Sequence, residues 1–84
     1  MSNISFSDSK ELSIYPNPTS NLFTFNSEKV ISKIEIFDVL GALMYTTNQK
    51  SETISIDFSS YAKGVYFVTV FNELGSISRK VVKQ

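Results

Sequence analysis

Apolar residues recur at every second position along most of this chain, and that spacing restricts it to β-structure. Phe23 and Phe25 alternate with Leu22, Thr24 and Asn26. Ile54, Ile56 and Phe58 alternate with Thr53, Ser55 and Asp57. Tyr66, Val68 and Val70 form one row, and Val65, Phe67, Thr69 and Phe71 form the other. Successive side chains of a strand point to opposite faces, so each run offers one apolar face to a core. Val30, Ile34 and Ile36 share a parity across a gap at Ser32, which places them together on a core-facing row. β-Branched and aromatic residues fill these runs, as strands prefer. No segment holds a helical repeat of useful length.

The turns are written in a repeated form. Asp38-Val39-Leu40-Gly41 and Asn72-Glu73-Leu74-Gly75 place Asp or Asn first and Gly fourth. In a type I turn the first side chain caps the turn, and Gly takes the position that needs positive φ. Tyr61-Ala62-Lys63-Gly64 also ends in Gly and launches the richest apolar run. The pattern predicts seven strands, at about 11–15, 21–26, 31–38, 42–47, 53–57, 65–72 and 76–83. Seven short strands in 84 residues point to one domain. The expected fold is all-β, an immunoglobulin-like antiparallel β-sandwich. Tyr66, at the start of the sixth strand, fits a tyrosine corner, whose hydroxyl bonds back to nearby backbone. Residues 1–10, rich in Ser, Asp and Asn, are expected to be a linker, leaving 11–84 as the domain.

Both prolines of the chain fall in Tyr15-Pro16-Asn17-Pro18. Neither has a backbone N–H, so a strand reaching this point loses two donors on one edge. Each also holds its predecessor in extended geometry. The expectation is a strand that stops in this stretch, followed by a stiff extended kink. Such a preformed segment loses little freedom on binding and suits a docking edge as well as a strand terminator.

Composition removes several classes of function. The chain has no Cys and no His, which eliminates disulfides, thiol nucleophiles and histidine bases. Eight basic and eight acidic residues cancel and are scattered, so no basic stripe is present to hold nucleic acid or an anionic membrane. The carboxylate pairs Glu35 with Asp38 and Glu52 with Asp57 fall at strand ends or on outward rows and read as solvated charge. No Gly-x-Ser-x-Gly elbow occurs, no loop alternates calcium ligands at fixed spacing, and no cofactor is expected. The chain is not expected to be an enzyme. Arg79, Lys80 and Lys83 sit among the last residues, where they suit either edge protection or contact with a receptor. Met1–Glu11 is polar and holds no signal-peptide core, so the chain is expected either not to be exported on its own or to come from a longer exported protein.

Four motifs now stand in order: Tyr15-Pro16-Asn17-Pro18-Thr19, Asp38-x-x-Gly41, Gly64-Val65-Tyr66-Phe67-Val68, and Lys80-Val81-Val82-Lys83. In that order and spacing the chain resembles the type A C-terminal sorting domain of the type IX, or Por, secretion system of Bacteroidetes. The resemblance runs from residue 12 to residue 84. It implies a signal at the end of a larger secreted precursor, with an N-terminal cargo domain in cis. The implied partners are the outer-membrane translocon and a sortase-like cysteine protease that cuts ahead of the domain, near residues 1–11. The cargo would pass through the periplasm and outer membrane, to be released or joined to anionic lipopolysaccharide at the cell surface. Recognition would fall on Tyr15, Pro16, Asn17, Pro18, Arg79, Lys80, Val81, Val82 and Lys83. Asp38, Gly41, Gly64, Tyr66, Asn72 and Gly75 would shape the turns and the corner. One departure is Tyr61, where a Leu is common before the Lys-Gly pair. The alternative from the residues is a structural or adhesive module similar to fibronectin type III, which usually carries a core Trp that this chain lacks. A carbohydrate-binding sandwich would want more exposed aromatic platforms than four Tyr supply.

Overall fold

The computed structural model describes residues 12–17 and 21–84. The expected linker and Pro18 lie outside the described residues. Seven strands form: β1 (Leu12–Pro16), β2 (Leu22–Ile31), β3 (Lys33–Phe37), β4 (Leu43–Thr47), β5 (Ser51–Asp57), β6 (Gly64–Asn72) and β7 (Gly75–Lys83). They make two antiparallel sheets, β1-β2-β5 and β4-β3-β6-β7, and no helix occurs among the described residues. This is the all-β sandwich that the alternation predicts.

The core lies between the sheets. Leu12, Phe23, Phe25, Ile31, Ile54, Ile56 and Phe58 meet Ile34, Ile36, Tyr66, Val68, Val70 and Val81. Burial of such side chains contributes about 1.5–3 kcal/mol each before conformational entropy is set against it.

Two sequence expectations are corrected. Val30 is 51% exposed, and Ile31 is the buried residue in its place. β2 runs on to Ile31, with its register shifted between Asn26 and Ile31, and the chain then changes sheets at Ser32. That crossing reverses which parity faces inward: odd positions in β2, even positions in β3. Ser32 fixes the crossing, since its N–H and its hydroxyl both donate to the Phe71 carbonyl, at 2.8 and 3.2 Å. The second correction concerns Pro16, whose missing N–H is expected to cost the strand ladder a donor. Pro16 is opposite Phe23 in the β1–β2 ladder. The Asn17 N–H donates to the Leu22 carbonyl at 2.7 Å. Antiparallel residues alternate in the side they present to the partner strand. The Pro16 nitrogen therefore points away from β2, so its missing hydrogen removes a donor from the open edge and none from the ladder.

Candidate functional site

Strands β1 and β7 are edges of different sheets and lie side by side along one flank of the sandwich. Between them runs an open seam. One hollow, of about 290 Å³, is bounded by Ile14, Pro16 and Phe23 on one side and by Arg79 to Val82 on the other. A second, of about 340 Å³, continues from Pro16, Asn17, Asn21 and Phe23 to Val82, Lys83 and Gln84. Motifs more than sixty positions apart in sequence thus share one groove.

On β7 the residues divide by parity. Val81 is 6% exposed and belongs to the core. Lys83 points inward: its Nζ donates to the Tyr61 carbonyl at 2.6 Å and, more weakly, to the Ser59 carbonyl at 3.4 Å. Lys83 thus fastens the loop between β5 and β6. Arg79 lies on the same inward row, half-buried between Ile77 and Val81. A charge so placed discourages another strand from extending the sheet. Lys80 and Val82 are the two exposed side chains of this segment. Lys80 is opposite Phe67, and Val82 is opposite Val65. Phe67 is 44% exposed and lies next to Phe37, which in turn lies next to Leu43. Lys80 therefore stands at the end of an apolar row across the outer face of the four-stranded sheet. On the opposite rim Tyr15, Pro16 and Asn17 are exposed.

An aromatic cluster backs Phe23, the seam residue of β2. The Phe23 ring packs on Phe58 at 4.5 Å between centroids, and Phe58 meets Tyr61 at 5.1 Å and Tyr66 at 5.8 Å. The Tyr66 hydroxyl donates to the carbonyl of Ala62, four residues upstream. Tyr61, the departure from the common Leu, closes this aromatic cluster. Burial raises the pKa of its hydroxyl, and its electrostatic interactions with Tyr45, Tyr66 and Asp57 add to the effect. The Asp57 carboxylate accepts from the Ser59 N–H at 2.8 Å. Hydrogen bonds from Ser59 hold the Asp57 pKa below its ordinary value, and Lys83 adds to the effect. Sequence reasoning missed Asn21 and Phe23 as parts of the site. Asn21 adopts φ 58°, and its carbonyl accepts from Phe58 N–H at 3.0 Å. Asn is among the few non-glycine residues that tolerate this geometry, a signal that was present in the sequence.

Asp38 and Gly41 shape the far end of the sheet. Asp38 Oδ1 accepts from Leu40 N–H at 2.9 Å and Ala42 N–H at 3.0 Å, and Gly41 has φ 88°. Asn72 Oδ1 accepts from Leu74 N–H at 2.8 Å, and Gly75 has φ 138°. Gly64 opens β6 at φ 146°. Glu35 does not pair with Asp38 and reaches Lys33 instead, at 3.5 Å. Among the described residues no three acidic groups gather where they could ligate a metal.

A family described as the secretion system C-terminal sorting domain matches residues 13–84. An ulvan lyase, NLR42, of Nonlabens ulvanivorans is 34% identical over 59 residues, which cover 68% of this chain and 11% of the relative. The chain thus spans about a ninth of the length of that relative.

Proposed function

The chain belongs to the secretion system C-terminal sorting domain family, and from that premise we propose that its β1–β7 flank is the address that the type IX outer-membrane translocon reads. Such a domain travels as part of a longer precursor and directs it through the outer membrane to the cell surface or beyond. The finer reading is that the folded sandwich presents Tyr15, Pro16 and Asn17 on one rim and Lys80 and Val82 on the other. The observation that carries it is the convergence of both motifs on one groove. Pro16 and Arg79 keep that flank from pairing with unintended strands, while the exposed side chains stay available.

The family is non-catalytic in general, and this chain has no histidine or thiol with which to build a nucleophile. Its part is recognition, without a cofactor. A sortase-like cysteine protease then cuts ahead of the domain, in a region that residues 1–11 contain or border, and the cargo is released or joined to anionic lipopolysaccharide. The family match favours this reading over the adhesive-module alternative. In the test, residues 1–84 are fused behind a signal peptide and a fluorescent reporter in a type IX-competent bacterium. The reporter reaches the surface or the medium, and deletion of Gly75–Gln84 traps it in the periplasm. Equal export after the deletion rejects the reading.

A further inference from the structure

The two outer faces of the sandwich differ in chemistry. On the three-stranded sheet the outward rows hold Thr24, Asn26, Thr53 and Ser55, and Leu22 and Tyr15 at one end are apolar members. The polar groups bond to one another, Thr24 to Ser55 at 3.0 Å and Thr53 to Asn26 at 3.1 Å. This is the solvated face that antiparallel sheets commonly keep on one side. The four-stranded sheet is built the other way. Lys80, Phe67, Phe37 and Leu43 line up across β7, β6, β3 and β4, and Val82 with Val65 makes the next rung. Leu43, Phe67 and Val82 are 53%, 44% and 48% exposed. A contiguous apolar row on an outer face marks an interaction surface.

The charges on this face narrow what fits it. Lys33 reaches Glu35 at 3.5 Å and lies over the Phe71 ring at 4.8 Å, so the acid of this face is already taken. Lys80 has no carboxylate partner among the described residues. The same face of a second copy would therefore bring Lys80 no unpaired acid. A lipid surface fits poorly as well, because one free lysine contributes only about 1 kcal/mol toward an anionic membrane.

We propose that this face is a protein-docking surface, occupied by an apolar segment of the translocon that sets a carboxylate against Lys80. The proposal rests on the reading that the translocon recognises the β1–β7 flank, and it extends that interface. Lys80 and Val82 belong both to the flank and to the outer face, so the contact is continuous from the seam across the sheet toward Leu43. Phe67, directly opposite Lys80 and next to Phe37, is the aromatic anchor of the row.

The test uses the reporter fusion of residues 1–84 in a type IX-competent bacterium, with the Gly75–Gln84 deletion beside it. Phe67→Glu removes the anchor and sets a carboxylate opposite Lys80, where a cross-strand pair of opposite charge supports the fold. Phe67→Thr removes the anchor with a residue that strands favour, and it serves if the first variant loses the thermal transition of the parent. Each folded variant is expected to lower the reporter outside the cell at least about tenfold, the scale of losing one anchor from an interface. Ser55→Lys, on the polar face, exports like the parent. Folded Phe67 variants that export like the parent while the deletion is trapped overturn the proposal and leave the sorting reading standing. Export of the deletion rejects both. Equal trapping of a folded Ser55→Lys variant also overturns the proposal, since the two faces then do not differ. The free chain is further expected to sediment as a monomer and to leave phosphatidylglycerol vesicles unbound. Self-association or vesicle binding that Phe67→Thr abolishes gives the face to a second copy or to a membrane, and overturns the proposal.

Discussion

Replacing Tyr66 by Phe isolates one hydrogen bond beside the aromatic cluster. The ring is 5% exposed and keeps its packing on Phe58 and Tyr61, so the substitution removes only the hydroxyl. That hydroxyl donates to the Ala62 carbonyl. Ala62 is exposed, so water takes over its carbonyl after the change. The penalty of about 1–3 kcal/mol for stranding a buried acceptor therefore does not apply. What is lost is a net bond of about 1 kcal/mol. A domain of this size then melts about 4–8 °C lower, with an unchanged slope against denaturant. It remains folded, because net stability at this length is roughly 4–13 kcal/mol. Thermal unfolding followed by circular dichroism measures the shift. A fall under about 1 °C refutes the bond, and one above about 15 °C shows that ring packing was disturbed as well. Lys83→Met releases the neighbouring Tyr61 carbonyl. Because both bonds hold one loop, the double variant departs from additivity by about 0.5 kcal/mol or more.

Gly41→Val, at φ 88° with open space around it, costs about 1–3 kcal/mol of backbone strain without a clash, measured as a lower denaturation midpoint. Phe58→Ala removes a fully buried ring that touches three aromatic neighbours and costs about 3–5 kcal/mol, enough to leave part of the protein unfolded at 37 °C by the same dichroism assay. Asp57 has a folded pKa below its unfolded one, so its contribution is present above the ordinary carboxylate range and is lost as pH falls through the folded value. Thermal midpoints of the parent and of Asp57→Asn, measured from neutral pH down into the acid range, should therefore converge as the pH drops.

The alternation of Phe23 with Phe25, of Ile54 with Ile56, and along Tyr66, Val68 and Val70 was enough to read the fold, because a period of two fixes which face is buried. It failed at Val30 and Ile31, where a register shift and a change of sheet reverse the parity without any mark in the local pattern. Asp38 and Asn72 signalled their turns through side-chain caps that act over a few residues. The seam was not legible, because β1 and β7 meet only through the packing of two sheets. The role of Lys83 escaped for the same reason: a lysine near the end of a strand looks solvated, and its carbonyl partners at Ser59 and Tyr61 lie more than twenty positions away.

The sorting account rests on the side chains that β7 leaves exposed. Lys83 is a poor probe, since its loss also loosens the loop it holds. Lys80→Glu and Val82→Glu are better, because both positions are exposed and such changes usually alter stability by no more than about 0.5 kcal/mol. Each variant, carried on the reporter fusion, is scored for reporter outside the cell against reporter in the periplasm, with the thermal transition of the isolated domain as the check on folding. The account predicts folded variants whose reporter stays in the periplasm. Folded variants exported as well as the parent would contradict it.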